Sequence, residues 1–392
     1  MKQTKTLGAL ALALLLALPG CQRTPADSTA PQQTTAPASG LAETVSTDPN
    51  HVYEQVQENL LIDAEIIAPP DGVTPKVYVG EMKTFTKEEI DAFLAWNGDG
   101  IAEVTRDDTQ DQSHVYAGNC QSGSRFTLDY SINGLFPSSF SYINHSLYER
   151  YLAYPIYNVP YDYDQNESSR IAEMFFEPVE LSFATAEEAE AQVREGLATL
   201  NLGELKLNRT LYISHDRMAQ AGEILQGDEW AVLAKGGATA TFPQWDDWDE
   251  GDDCYMFEFF SAADGVPMTY RFWDSGTVSY SPNSIVVWYT KDGIIELNIL
   301  HPWIFGQVAE SPESIISAGE ALAVAKAKYA NIISSQNRII ESVNLAYVYR
   351  QDGDGWLLRP VWEVKIRLKA TDTVPFDTFQ YVGVDAITGE EL

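Results

Sequence analysis

The spacing of apolar positions along the chain changes period several times. Ile62-Asp63-Ala64-Glu65-Ile66 alternates, as does Val77-Tyr78-Val79 beyond the Pro69-Pro70-Asp71-Gly72 turn, and both read as strands. Lys291-Asp292-Gly293 separates Ser284–Thr290 from Ile294–Leu300, the pattern of a hairpin. Gln351-Asp352-Gly353-Asp354-Gly355 likewise separates Val343–Tyr349 from Trp356–Leu368, and Phe379–Val384 reads as a last strand. Three other runs carry a helical period behind a Ser/Thr-x-x-Glu box. Thr86–Glu89 precedes Ile90, Phe93 and Leu94; Thr185–Glu188 precedes Ala189, Val193 and Leu197; Ser317–Glu320 precedes Ala321, Leu322, Ala325 and Tyr329. The predicted class is α+β, with helices packed on antiparallel sheets in two or three lobes.

Strand-like runs, Lys206–Ser214 and Ser342–Arg350, follow the second and third boxes at similar spacing. A repeated helix-then-sheet unit accounts for this, as does chance recurrence of a common cap. The expected division is an N-terminal lobe at 48–178, a central lobe at 179–310 and a C-terminal unit at 311–392.

The first residues read differently. Lys2 and Lys5 precede an apolar stretch from Leu7 to Leu18. A bilayer-spanning helix needs about 20 residues, so this stretch suits the core of a secretory signal. Leu18-Pro19-Gly20-Cys21 follows and resembles the lipobox of bacterial lipoproteins, which implies a signal peptide at 1–20 and a lipid on Cys21. Residues 21–47 are rich in Thr, Pro, Ala, Ser and Gln and read as a flexible tether. The expected location is the outer face of the bacterial cytoplasmic membrane, with attachment through the lipid.

The C-terminal residues carry a second resemblance. Glu320-Ala321-Leu322-Ala323-Val324-Ala325, Leu345–Tyr349, Arg359-Pro360-Val361-Trp362-Glu363-Val364 and Val384-Asp385-Ala386-Ile387-Thr388-Gly389-Glu390 resemble a PepSY-like unit of the YycH/YycI type. The chain as a whole is similar to uncharacterised Firmicutes lipoproteins of unknown function. The resemblance implies a helix on a short antiparallel sheet, a binding or regulatory role and no catalytic residues.

Charge narrows the partners. The 392 residues hold 25 Lys+Arg against 57 Asp+Glu, a formal charge of -32, which argues against nucleic acid. Six of the eight residues at 246–253 are acidic, and Asp247, Asp249 and Asp252 are weak candidates for calcium. A solvated loop is the other reading of that run, and no other cofactor is expected. With Cys21 lipidated, Cys120 and Cys254 either form a disulfide or remain two thiols. Tyr148, Tyr151, Tyr154 and Tyr157 belong to an aromatic cluster that suits either packing or a binding surface. The five histidines show no zincin spacing, and no nucleophile elbow or phosphate-binding glycine loop occurs. The expected function is a non-catalytic envelope module that binds an unidentified protein or peptide. A peptidoglycan-directed hydrolase and a ligand-capture protein for sugars or cations are the alternatives.

Overall fold

All three Ser/Thr-x-x-Glu boxes close in the computed structural model. It describes residues 50–70, 72–108, 115–129, 138–144, 174–226, 247–269, 271–274, 277–280, 283–332, 335–353, 355–371 and 377–392. The expected signal at 1–20, the expected tether at 21–47 and Cys21 lie outside these residues. The helices are α1 (Lys87–Trp96), α2 (Ala186–Ala198), α3 (His215–Gln226) and α4 (Ala318–Ala330). At α1 the Thr86 hydroxyl accepts from the Glu89 N–H at 3.2 Å, and the Glu89 carboxylate accepts from the Thr86 N–H at 2.9 Å. Thr185 with Glu188 and Ser317 with Glu320 repeat the exchange at α2 and α4. Each box satisfies two donors, one in the helix's open first turn and one on the cap residue, so each helix starts where its sequence signal stands.

The strands outnumber the helices. In chain order they are β1 (His51–Gln57), β2 (Leu60–Ile67), β3 (Val77–Met82), β4 (Ile101–Asp107), β5 (Val115–Cys120) and β6 (Arg125–Asp129). Next come β7 (Ser139–Ile143), β8 (Leu205–Ile213), β9 (Cys254–Ala263), β10 (Val266–Pro267), β11 (Arg271–Asp274) and β12 (Thr277–Tyr280). The last are β13 (Ser284–Thr290), β14 (Gly293–Leu300), β15 (Trp303–Glu310), β16 (Arg338–Asp352), β17 (Gly355–Leu368) and β18 (Thr378–Asp385). Among the described residues one sheet runs β1-β2-β16-β17-β3-β15, with β18 also paired to β17. A second runs β10-β9-β13-β14-β7-β6-β5-β4, with β8 on β9, and β11 pairs with β12 alone. The class is α+β, and the pairing is antiparallel except where β2 meets β16.

This layout corrects the expected linear lobes. The first sheet combines residues 51–82 with 303–385, and the second combines 101–143 with 205–300, so boundaries at 178/179 and 310/311 separate neither sheet. All described residues belong to one compact unit, Glu43–Leu392. Two chain crossings between the sheets, after β3 and after β14, produce the interleaving.

Each sheet buries its own apolar face. Ala321, Leu322, Ala325 and Tyr329 of α4 share a cluster with Ile340, Val343, Leu345, Trp362 and Val364 of the first sheet. Ile90, Phe93 and Leu94 of α1 and Val193 and Leu197 of α2 share another with Phe126, Leu128, Phe140, Phe257 and Leu297 of the second. Full burial of such side chains contributes roughly 1.5–3 kcal/mol each. β9 is buried on both faces: Tyr255, Phe257 and Phe259 join the α1–α2 cluster, while Cys254 and Met256 join a third with Met218 and Ala221 of α3.

A two-residue hairpin links the sheets. Asp264 and Gly265 connect β9 to β10 with φ of 54° and 75°, the left-handed pair of a tight hairpin turn. The Glu204 carboxylate accepts from the Asp264 and Gly265 N–H groups at 3.1 and 2.8 Å. The Asp264 carboxylate in turn accepts from the Tyr78 hydroxyl of β3 at 2.7 Å. Burial first, then Asp264, push the Tyr78 pKa up, so its hydroxyl keeps the proton that it donates. Beyond the turn, Met268 bridges to Tyr347 of β16, and the Thr269 N–H donates to the Tyr347 carbonyl at 2.9 Å.

Two substitutions test this framework. Tyr78→Phe leaves Asp264 without that donor, and urea unfolding is expected to show a loss of about 1.5–3 kcal/mol. Gly196 lies inside α2, where alanine would gain about 1 kcal/mol of helix propensity. An added Cβ there, however, falls 2.4 Å from the Trp96 ring of α1. Overpacking costs about 1–3 kcal/mol and outweighs or cancels the propensity gain, so Gly196→Ala is expected to lower the urea midpoint or leave it unchanged. A raised midpoint would refute the contact.

Candidate functional site

The acidic run is built as a turn ahead of a buried strand. Asp249 caps one 3-10 turn over Glu250–Asp252: its carboxylate accepts from the Gly251 N–H at 2.7 Å, and the Asp252 carboxylate accepts from the Asp249 N–H at 3.1 Å. Asp253 follows and is only 3% exposed. Its Oδ1 accepts from the His215 backbone N–H at 2.9 Å and lies 2.8 Å from His215 Nδ1. Its Oδ2 accepts from the Ser182 N–H and hydroxyl at 3.4 and 3.3 Å. One carboxylate thus ties the approach to α2, the first turn of α3 and the head of β9. Ser214 caps α3 as its position suggests, accepting from the Arg217 N–H at 3.3 Å.

His215 is held on one side and open on the other. Its Nε2 is 3.6 Å from the carboxylate of Asp216, whose side chain is solvent-exposed. The hydrogen bond to Asp253 raises the His215 pKa, partial burial opposes this, and the charges of Asp253, Asp216 and Glu250 add to it. An imidazole fixed at Nδ1 by a buried carboxylate can store or pass a proton at Nε2. Nucleophilic catalysis would also need a hydroxyl or thiol bonded to that imidazole. The Ser182 hydroxyl instead donates to Asp253, and the Cys254 thiol donates to the Tyr255 carbonyl at 3.3 Å. Burial pushes the Cys254 pKa well up, which keeps the thiol protonated.

A second polar centre lies on β9, in alternation with Cys254 and Met256. Glu258 is 1% exposed and accepts from Arg209 Nε at 2.5 Å and from the Asn208 amide at 2.6 Å. A bulge between Leu207 and Arg209 lets two consecutive side chains of β8 reach one carboxylate. Burial pushes the Glu258 pKa up against the pull of Arg209.

The sequence-stated sites fare unevenly. Cys120 and Cys254 are free, buried thiols, which corrects the disulfide reading. They stand on β5 and β9, with β6, β7, β14 and β13 between. Five steps of about 4.8 Å put them roughly 24 Å apart, far beyond the ~7 Å Cα limit of a disulfide. Burial, followed by the charge of Asp99, pushes the Cys120 pKa to about 12. Asp249 and Asp252 direct their carboxylates into the turn's own cap, and among the described residues no three His, Cys, Asp or Glu side chains converge on a metal position. Asp247 precedes the cap on the same loop. Tyr148, Tyr151, Tyr154 and Tyr157 lie outside the described residues. The Asp253–His215–Ser182 hub joins residues far apart in the chain and leaves no local signal.

No protein-family model matches the chain, and no curated protein matches it. A crystal structure of an uncharacterised protein from Eubacterium rectale ATCC 33656 is similar, with a TM-score of 0.59 over 88% of this chain and 93% of that one. The two are 16% identical. The likeness is one of fold.

The His215–Asp253 pair predicts a pH dependence. A folded-state pKa raised above 6.5 stabilises the fold fully below that value, and the contribution fades as pH rises through the raised pKa. The stability gap between the protein and His215→Gln is therefore expected to be larger at about pH 5.5 than at about pH 8.5. Urea midpoints at both values check this, and a gap that grows with pH would refute it.

Proposed function

We propose that this is a non-catalytic lipoprotein, anchored by Cys21 to the outer face of the bacterial cytoplasmic membrane, whose folded body binds a protein or peptide of the envelope. The observation that carries the binding role is the alternation in β5–β7. Tyr116, Cys120, Phe126, Leu128, Phe140 and Tyr142 are buried on one face. Asn119, Thr127, Ser139 and Ser141 are half-buried on the other, a layer of small polar side chains around Ala117, flanked by Val115, Ile143, Arg125 and Asp129. Recognition by that face or by loops fits better than strand addition, because β1, β15, β4 and β8 each carry a register break and the unbroken outer strand β18 meets Glu391 and Leu392 on its outer side at Gly383 and Val384. Bulged outer strands resist pairing with another chain.

The order of α4, the β16–β17 hairpin and β18 supports the PepSY-like reading of 311–392. Its closing turn is tied down: Asp385 accepts from the Ile387 and Thr388 N–H groups at 2.9 and 3.0 Å and from Arg359 Nε at 3.0 Å. The sequences α2–β8 and α4–β16 each follow a capping box and support the repeated unit, although their strands join different sheets. Metabolic labelling with a fatty-acid analogue is expected to mark the full chain in membranes and to fail in Cys21→Ser, which should leave the membrane fraction. Unlabelled wild-type protein would refute the anchor. Release of soluble fragments from purified peptidoglycan would favour the hydrolase instead.

A further inference from the structure

Arg338 opens β16 and is 8% exposed. It stands opposite Leu60 of β2 and Leu368 of β17, one alternation from Ile340, on the face that gathers Leu60, Ile340, Leu368 and Tyr329 into the α4-side cluster. Its guanidinium lies 5.7 Å from the centroid of the Tyr329 ring. Its Nε is buried with no hydrogen-bond partner. The other well-buried arginines differ, since Arg209 pairs with Glu258, and Arg359 pairs with Asp385 and Glu310. Acids are not scarce in a chain with 57 Asp+Glu, yet among the described residues none forms an ion pair with Arg338.

Intramolecular compensation is limited. A ring can meet one face of a guanidinium, but the five N–H donors lie in its plane. The carbonyls at the end of α4 offer an alternative, and other groups use them. Ala330 O accepts from the Gln57 amide at 2.9 Å, Ala327 O from the Asn331 amide at 2.8 Å, and Tyr329 O from the Ile332 N–H at 3.2 Å. A guanidinium whose buried Nε–H meets no acceptor requires an explanation, and an ion supplied from outside is one.

We propose that Arg338 is an oxyanion-binding residue, taking a carboxylate or phosphate group at the end of the first sheet between the β1–β2 hairpin and the last turn of α4. The planar fork matches two oxygens of either group, and its apolar surroundings strengthen the contact. The site stands apart from the acidic turn and is independent of the envelope-binding reading.

The test uses the folded protein labelled with 15N-arginine and titrated with sodium phosphate or sodium acetate, with chloride holding ionic strength constant. The Arg338 Nε–H resonance, assigned by its absence from Arg338→Lys, is expected to shift saturably, and the melting temperature to rise with the same anion. The anion that saturates at lower concentration tells phosphate from carboxylate. Arg338→Met should lose the melting shift, and Arg338→Lys should weaken binding by about tenfold or more. Saturation by neither anion, or an equal melting shift in Arg338→Met, would overturn the assignment. If Arg338→Met does not fold, the wild-type resonance and Arg338→Lys decide the matter.

Discussion

A hairpin tip of two residues ties the two sheets together. Asp264 and Gly265 adopt positive φ, and Glu204 takes up both of their N–H groups. That leaves the Asp264 carboxylate free to reach Tyr78 on the other sheet. Glycine is needed at the second position twice over, since a Cβ there would also lie 2.9 Å from Pro70. The contact carries two acids side by side, which repel one another. Their division of labour, one on backbone donors and one on a phenol, makes the pair tolerable. The tip also starts β10, which leads to the Met268–Tyr347 bridge, so the two sheets are joined twice within a few residues.

Polar groups inside the body follow a common logic. Asp253, Glu258 and Asp385 are nearly inaccessible, and each is matched to donors from distant segments. Asp99 does the same at a loop end, accepting from the Ser122 N–H and hydroxyl, the Gly100 N–H and the Tyr142 hydroxyl. Burial alone would raise the Asp99 and Asp385 pKa values, but these donors lower both. Unmatched, such carboxylates would each cost several kcal/mol. Matched, they tie together segments that are far apart in the chain. The buried Nε–H of Arg338, which meets no acceptor, breaks this pattern.

Much of the local structure was legible in the residues. The boxes at Thr86, Thr185 and Ser317 predicted three helix starts, and Lys291-Asp292-Gly293 predicted the β13–β14 hairpin. The Asp264-Gly265 dipeptide between apolar runs is a hairpin signal of the same kind that the reading passed over. β9 was harder, because Cys254–Ala263 is buried on both faces and so has no alternation to read. The His215–Asp253 pair was invisible, because 38 residues separate its members.

The sequence by itself determined three cap positions, eight of the eighteen described strands, the acidic charge and the lipobox-like N-terminus, all of which rest on neighbouring residues. Tertiary structure decided what depends on residues far apart. It interleaved the sheets across the expected lobe boundaries, set Cys120 and Cys254 four intervening strands apart, and turned the acidic run into a cap and a buried hub. Short-range periodicity reports which face of an element is apolar. It does not report which element that face will meet, because that choice is made by long-range packing and by the few donors able to satisfy a buried charge.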